Sequence, residues 1–196
     1  MKKKILLLII ALVLALTILA ACSSYSATLD KINELLKVDY SEITIEVATT
    51  AKGYTLNGVY KFTFEGGQTT IDYSFDRLNE LDVNNPNPDE FITRVTGRAV
   101  VQDGVIVEGG ESLNLPATAD FNGIKFKETF FDNYSIDKNE FNADVVNVKA
   151  FIGNNSVVCN DMHVRVLYNK DSLRKITLTY TSGNGANAEI TYRFTK

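Results

Sequence analysis

Cysteine, histidine and tryptophan are scarce in this chain. Its 196 residues include two cysteines, Cys22 and Cys159, one histidine, His163, and no tryptophan. Cys22 ends a hydrophobic N-terminal segment, so Cys159 has no disulfide partner in the rest of the chain, and the fold must be stabilised by packing. A single imidazole also limits metal binding and acid–base chemistry, in which histidine is the most versatile side chain.

Excess positive charge is also lacking. The full chain has a formal net charge of −4, and residues 1–21 contribute three lysines and no acid, so residues 22–196 carry −7. A negatively charged domain is repelled by phosphate backbones and by anionic head groups. The composition therefore argues against a nucleic-acid partner and against electrostatic binding to a membrane.

Recognisable catalytic motifs are missing as well. The sequence contains neither a Gly-x-Ser-x-Gly nucleophile motif nor a phosphate-binding glycine loop. Acidic pairs occur at Asp89-Glu90 and at Glu108 with Glu111, and two carboxylates can hydrolyse glycosides. Because these pairs flank polar loops in an acidic chain, a solvated surface is the better interpretation. We therefore predict a protein without enzymatic activity and without a cofactor.

Cys159, Asp161 and His163 are metal-ligand types at the spacing i, i+2, i+4. On a regular strand the three side chains would point to one face. Neighbours on such a face are about 6.5–7 Å apart, too far for three of them to hold one ion or for the thiol and imidazole to share a proton. The spacing predicts neither a metal site nor a thiol nucleophile.

The N-terminal segment is the most informative part of the sequence. Lysines at 2–4 precede an apolar run at 5–18, and the tetrapeptide Leu19-Ala20-Ala21-Cys22 follows. This order is typical of an export signal. The tetrapeptide resembles the lipobox of bacterial lipoproteins, which signal peptidase II cuts. The resemblance implies cleavage between Ala21 and Cys22 and a diacylglyceryl group on the Cys22 sulfur.

The lipid expected on Cys22 sets the predicted location. At least two acyl chains anchor a protein stably, so we expect an exported protein held on the outer face of the cell membrane, or at the outer membrane in a host with two membranes. Two alternatives stay open: an uncleaved anchor at 5–21, at the lower limit for a spanning helix, and an ordinary secretory signal cut near Ala21. The predicted organisation is a signal peptide at 1–21, a lipidated tether at 22–28 and one domain at 29–196.

The remainder of the chain is dominated by alternating apolar and polar residues, which indicate antiparallel strands with one apolar face and one solvated face. The alternation occurs at 42–47, 60–65, 70–76, 163–168, 175–181 and 188–194. Strands are also predicted at 91–101 and 105–108, on either side of a turn at 102–104. A stripe of leucine and isoleucine predicts a short helix at 29–37, with Thr28 as its N-cap. The segment 82–90 contains two prolines and is predicted as a loop.

The segment 140–152 fits two structures. Its apolar residues alternate as in a strand at 140–146, but across the whole segment they also fit one face of a helix. We favour a strand followed by a helical turn at 147–152. The predicted fold is α+β and mainly antiparallel, a curved open sheet or half-barrel with one or two short helices. A two-sheet β-sandwich is the alternative.

Aromatic residues are abundant, with 9 tyrosines and 11 phenylalanines. Such residues usually form a core, but short helices can cover only part of a sheet this wide. We predict that part of its apolar face binds an apolar or amphipathic ligand, such as a lipid. The candidate face comprises Tyr60, Phe62, Phe64, Tyr73, Phe75, Tyr180, Tyr192 and Phe194.

An N-terminal helix followed by antiparallel meanders resembles the architecture of the LolA/LolB lipoprotein carriers. The resemblance covers residues 29–196 and rests on no motif. It implies an incomplete barrel that holds acyl chains beneath helices. The alternative function is a protein-interaction module with a filled core, which binds an envelope or extracellular partner through its outer face. That face is rich in threonine and charge, at Thr177, Thr179, Thr181, Thr191 and Arg193.

Overall fold

The structure of the chain is a computed structural model. It describes residues 24–51, 53–78, 92–116, 119 and 121–196. The predicted signal peptide, Cys22 and the predicted loop at 82–90 lie outside the described residues. Within the described part, no helix has the length and hydropathy needed to cross a membrane.

Ten antiparallel strands form one open sheet. Their bounds are β1 Glu42–Ala51, β2 Tyr54–Glu65, β3 Gln68–Leu78, β4 Ile92–Gln102, β5 Val105–Gly109, β6 Phe131–Asp137, β7 Glu140–Val145, β8 Cys159–Tyr168, β9 Leu173–Ser182 and β10 Asn187–Thr195. Their order across the sheet is β5-β4-β3-β2-β1-β10-β9-β8-β7-β6. The mainly antiparallel α+β fold is confirmed, and the described strands belong to one sheet rather than to the two sheets of a sandwich.

The chain starts in the centre of the sheet at β1 and proceeds strand by strand to one edge at β5. It then crosses to the opposite edge at β6 and returns to the centre at β10, which pairs with β1. Neighbouring strands are about 4.8 Å apart, so the two edges are separated by roughly 40 Å along the sheet. The connection between β5 and β6 must therefore cross the full width of the sheet.

Period-2 alternation gives the sheet two different faces. In the central register Ile45 lies between Tyr60 of β2 and Tyr192 of β10, and all three side chains are buried. One residue away on the neighbouring strands, Lys61 and Arg193 point to the other face and are exposed. The apolar face therefore contains the core, and the opposite face is solvated.

Helix α1 covers residues 24–35 and packs on the apolar face. It is helical from residue 24, so the helix predicted to start at 29 begins at least five residues earlier. Thr28 does not cap the helix, because its hydroxyl donates to the Ser24 carbonyl one turn earlier at 2.8 Å. Tyr25 is buried and stacks on Tyr134 of β6, with ring centroids 3.8 Å apart. This contact fixes the start of α1 near the β6 edge.

The crossover segment, residues 110–130, connects β5 to β6 and contains the 3-10 turns Phe121–Gly123 and Glu128–Phe130. Side chains of α1 bond its backbone at two of the described positions, and at the first of them the Tyr25 hydroxyl donates to the Glu128 carbonyl at 3.4 Å. The Asn33 side chain donates to the Phe126 carbonyl at 2.7 Å and accepts from the Phe126 backbone N–H at 3.0 Å. A backbone N–H and carbonyl that are shielded from water need hydrogen-bond partners, and the Asn33 side chain supplies both for Phe126. Asn33 thereby fixes the path of the crossover segment over the sheet.

The segment 140–152 forms the strand and the helical turn that its pattern favours, β7 followed by helix α2 at Val148–Ile152. Asn147 caps α2 by accepting from the Ala150 backbone N–H at 3.3 Å. The pattern does not predict β6. Asn133 adopts a left-handed conformation, with φ 47, within a bulge of that strand, and most of its side chains are exposed, so regular alternation is lost.

Candidate functional site

The eight aromatic residues of the predicted ligand face all lie on the apolar face of the sheet. Four of them are buried, with at most 7% of their surface exposed: Tyr60, Tyr73, Phe75 and Tyr192. The other four are partly buried and pack against the core: Phe62, Phe64, Tyr180 and Phe194. The structure thus divides the predicted set into rings that fill the core and rings that remain partly accessible.

The buried rings of β2 and β3 form a row. Tyr60 and Tyr73 each stack on Phe75, with centroids 6.1 Å apart in both pairs. The Tyr73 ring lies across Gly97 of β4, where any Cβ atom would overlap it. The Tyr60 hydroxyl donates to the Asn114 carbonyl of the crossover segment at 2.6 Å, and burial raises the pKa of this phenol. The row therefore supports the crossover segment and depends on glycine at position 97.

An open pocket of ≈ 500 Å³ lies at one end of strands β1–β3, and we call it the Phe64 pocket. Its apolar lining comprises Leu36, Val38, Tyr40, Ile43, Phe64 and Phe121. Tyr40 is fixed by two hydrogen bonds, since its hydroxyl donates to the Leu35 carbonyl and accepts from the Leu173 backbone N–H, both at 2.8 Å. Burial raises the pKa of Tyr40, although the bond from Leu173 opposes this shift. The rigid phenol forms one wall of the pocket.

A second open pocket of ≈ 300 Å³ lies at the other end of the same strands, and we call it the Phe75 pocket. Its apolar lining comprises Val47, Leu56, Gly58, Tyr60, Phe75, Leu78 and Pro116. Its polar lining comprises Thr49, Asn57, Asp76, Arg77 and Asn114. The crossover segment contributes to both pockets, through Phe121 in the first and through Asn114 and Pro116 in the second.

A larger and more polar groove of ≈ 700 Å³ runs between α1 and the crossover segment. It shares Leu36 and Phe121 with the Phe64 pocket, so the two openings adjoin. Its charged lining comprises Asp30, Glu34, Lys37, Lys125 and Lys127. Because charges of both signs line it, the groove shows no clear preference for an anionic or a cationic ligand.

Phenylalanine fills the half of the apolar face formed by β6–β10. Phe126 of the crossover segment lies 5.4 Å from Phe151 of α2 and 6.1 Å from Phe141 of β7, measured between ring centroids. Phe131 of β6 lies 5.5 Å from both Phe126 and Phe141. These distances are typical of close aromatic packing. This half forms a dense core in which α1 and α2 cover the strands.

The residues at 159, 161 and 163 do not share a face, contrary to the expectation for a regular strand. A bulge in β8 lies between Asn160 and His163, and Asp161 has φ 50. Cys159 therefore packs against the core, where burial raises the pKa of its thiol. His163 lies on the polar face, with Nδ1 3.0 Å from Asp144 Oδ1. The three side chains cannot converge on one ion, and the described residues contain no group of three potential ligands.

Ion pairs link neighbouring strands on the polar face of the sheet. The described residues form five pairs between arginine or lysine and an acid, and Arg193 with Glu46 is bidentate at 3.0 and 3.1 Å. Thr191 is buried, and its hydroxyl oxygen lies 3.5 Å from that of Thr177. Thr177, Thr179, Thr181, Thr191 and Arg193 all belong to this face, which is the surface named for the alternative function.

Sequence reasoning missed the part of the site that lies outside the strands. Leu36 carries a signal, because it belongs to the apolar stripe of the helix predicted at 29–37, although α1 ends at residue 35. Val38 and Phe121 belong to segments without a regular period. Asn114 and Pro116 carry no local signal, since their position on the sheet depends on the path of the crossover segment.

We compared the chain with family models, with curated proteins and with solved structures, and none of the three comparisons gave a match. Function must therefore be inferred from the residues and their geometry.

Proposed function

We propose that this protein is an exported lipoprotein, anchored by a lipid on Cys22, that binds an apolar or amphipathic ligand on the apolar face of its sheet. The ligand occupies the Phe64 pocket, the Phe75 pocket or both. The protein acts in binding or transfer and is not an enzyme. The lipobox resemblance of residues 19–22 supports the anchor, and the two pockets support the ligand site.

Incomplete filling of one half of a continuous apolar face is the observation that carries the ligand site. Both pockets are open to solvent, and their volumes of ≈ 500 and ≈ 300 Å³ lie in the range of small-molecule sites, about 300–1,000 Å³. Apolar and polar side chains both line them, and the polar lining includes Asp39 and Glu65 in the Phe64 pocket and Asp76 and Arg77 in the Phe75 pocket.

We further infer that the ten-stranded sheet curves around these pockets as an incomplete barrel. Strand twist accumulates across a sheet of this width and favours curling over a flat arrangement. In this proposal the crossover segment and α1 form a partial cover over the apolar face. This proposed arrangement is the one that the resemblance of residues 29–196 to the LolA/LolB carriers implies, and it is suited to an acyl chain that enters from solvent or from a membrane.

An acyl ligand gives the proposal a quantitative consequence. Burial of one methylene contributes about 0.8 kcal/mol, which corresponds to a roughly fourfold gain in affinity. We therefore expect the affinity for straight-chain ligands to rise by about this factor per methylene until the pockets are full. A ligand class whose affinity does not change with chain length would contradict an apolar site.

The direct test is native mass spectrometry of the segment 23–196, produced without detergent and then mixed with dodecanoate. This segment contains every strand, helix and crossover contact that the structure describes. We expect a bound species that organic extraction removes. Phe64→Asp should weaken binding, whereas Val107→Asp, at an exposed position of β5, is the matched control. A clean unliganded mass at saturating dodecanoate would contradict the ligand site.

The anchor has an independent test. Cys22→Ala, made in the full chain and expressed in a bacterial host, should leave an unprocessed precursor or release the protein to the medium. A Cys22→Ala protein that is processed normally and remains in the membrane fraction would contradict the lipid anchor while leaving the ligand site untouched.

A further inference from the structure

Arg77 lies at the Phe75 pocket and has no ion-pair partner among the residues that the structure describes. The alternation of β3 places it on the apolar face, two residues after Phe75. Its guanidinium carbon is 5.9 Å from the centre of the Phe75 ring. The side chain is exposed, so its N–H groups are accessible from the pocket. A cation on the apolar face of a sheet requires an explanation.

The acid nearest to Arg77 in sequence is already occupied. Asp76 points to the polar face, where Arg94 donates to its Oδ1 at 2.6 Å and the Asn57 backbone N–H donates to its Oδ2 at 2.8 Å. Its carboxylate is therefore paired with Arg94, although Asp76 is itself one of the residues that line the Phe75 pocket. Among the described charges that line the Phe75 pocket, Arg77 is the one without a counter-ion.

The chemistry of the guanidinium group limits what it can bind. The guanidinium contacts the Phe75 ring through its positive charge. This contact does not use the five N–H donors, which lie in the plane of the group. That planar donor set fits a carboxylate or a phosphate through two parallel hydrogen bonds. An apolar wall formed by Val47, Leu56 and Phe75 lies beside these donors. Within the part of the chain that the structure describes, this small pocket thus combines an apolar surface with one positive charge that has no counter-ion.

We infer that the Phe75 pocket binds an amphiphile with one alkyl chain and a terminal carboxylate or phosphate. The chain lies against Val47, Leu56 and Phe75, and the anionic group binds Arg77. This inference rests on the proposed function, because it names the class of ligand for one of the two proposed pockets. Arg77 recognises the head group, and the apolar side chains of the sheet recognise the alkyl chain of the ligand.

The test uses the absence of tryptophan from the chain. Leu56→Trp in the segment 23–196 introduces a single fluorophore into the lining of the Phe75 pocket. This reporter protein is titrated with three probes of equal chain length: dodecanoate, dodecyl phosphate and dodecanol. Calorimetric titration of the unmodified segment with the same probes shows whether the tryptophan itself alters binding.

We expect both anionic probes to bind about tenfold more tightly than dodecanol, as one charge-assisted hydrogen-bonded contact in a partly exposed site can provide. Arg77→Gln should abolish this preference and leave the dissociation constant for dodecanol unchanged. Arg77→Lys should retain part of it. Arg174→Gln is the matched control, since Arg174 is an exposed arginine at the start of β9 without an ion pair in the described part.

The possible outcomes separate this inference from the proposed function. Equal affinity of all three probes for the parent protein would overturn the role of Arg77 and leave an apolar site intact. A preference for anions that survives Arg77→Gln would also overturn it, because another group would then bind the head group. A preference for only one of the two anions would identify the natural head group as carboxylate or phosphate and support the inference. Failure of all three probes to bind would overturn the proposed function together with the inference.

Discussion

The two halves of the apolar face share one strand pattern and differ in what covers them. On β6–β10, α1, α2 and part of the crossover segment pack over the strands, and Phe141, Val164 and Ile176 have no exposed surface. On β1–β4, the described cover comes from the crossover segment and the residues after α1, and two pockets remain open beside Phe64 and Phe75. We call these the filled half and the open half.

This difference shows that an alternating strand pattern predicts which face of a strand is covered, but not which part of the chain covers it. The same run of aromatic and aliphatic residues forms a core where a helix covers it and leaves open pockets where the cover is incomplete. The identity of the cover decides between the two roles. Substitutions in the filled half should therefore affect stability, and substitutions in the open half should affect ligand binding more than stability.

The largest effect is expected in the filled half. Phe141→Ala removes a fully buried ring that contacts Phe126 and Phe131, and should lower the free energy of unfolding by about 3–5 kcal/mol. Urea denaturation of the segment 23–196 measures this loss. Phe141→Leu should lose less than about 1.5 kcal/mol, because it preserves most of the volume. A loss below about 1 kcal/mol for the alanine variant would mean that this half is not a packed core.

The attachment of α1 to the crossover segment should come next. Asn33→Ala removes both hydrogen bonds to the Phe126 backbone. The N–H and carbonyl of Phe126 then lose their side-chain partners. We expect a loss of about 2 kcal/mol in urea denaturation, because unpaired buried backbone groups are costly. Glu34→Ala, at the next and exposed position of α1, should change stability little. Equal losses for the two variants would show that the bonds to Phe126 do not hold the segment.

An intermediate effect on stability and a large effect on binding are expected in the open half. Phe64→Ala truncates a partly buried ring, so we expect a loss of about 1–2 kcal/mol in the free energy of unfolding. Binding of dodecanoate should weaken by more than about tenfold, because the ring forms a wall of the pocket. Unchanged affinity in Phe64→Ala would remove the Phe64 pocket from the ligand site.

A smaller, pH-dependent effect is expected at Asp76. Burial alone would raise the pKa of this carboxyl, but the hydrogen bonds from Arg94 and from the Asn57 backbone hold it below its ordinary value. A lowered pKa in the folded state means that the contribution to stability is complete above the unfolded pKa of about 3.9 and is lost as the pH falls through the folded value. Asp76→Asn should reduce the loss of stability between neutral and acidic pH, measured as urea midpoints. An identical acid dependence in the variant would contradict this assignment.

The smallest effect is expected at the β5 edge. Val107 is 57% exposed, so Val107→Lys should change the free energy of unfolding by less than about 0.5 kcal/mol. The variant should also bind dodecanoate as the parent does, since β5 lies outside both pocket linings. A clear loss of stability would show that the edge strand contributes to the core.

Local pattern was sufficient to predict most of the strands and the strand–turn order at 140–152. Alternation depends on neighbours two residues apart, and it identified the strands that became β1–β3 and β8–β10. It failed where the backbone departs from regular geometry. The bulges at Asn133 in β6 and at Asp161 in β8 interrupt the alternation, and the second one separates Cys159 from His163.

The site was harder to predict than the fold, for a topological reason. All eight predicted aromatic residues lie on one face, yet the sequence could not tell which of them would be covered. Tyr60 is buried because Asn114 passes over it, and these two residues are 54 positions apart. The start of α1 was also missed, since Tyr25 is fixed by Tyr134 from a strand that the pattern did not reveal. Long-range contacts of this kind leave no local signal.

The most direct measurement is a map of backbone amide chemical shifts in the isotopically labelled segment 23–196, recorded during titration with dodecanoate. If the filled half is a closed core, the amide chemical shifts of Phe141, Val164 and Ile176 should not change during the titration. The open half predicts saturable shifts at Phe64, Thr69, Leu56 and Phe75, which line the two pockets. Shifts confined to the open half would support the account. Shifts spread over both halves, or none at saturating dodecanoate, would contradict it.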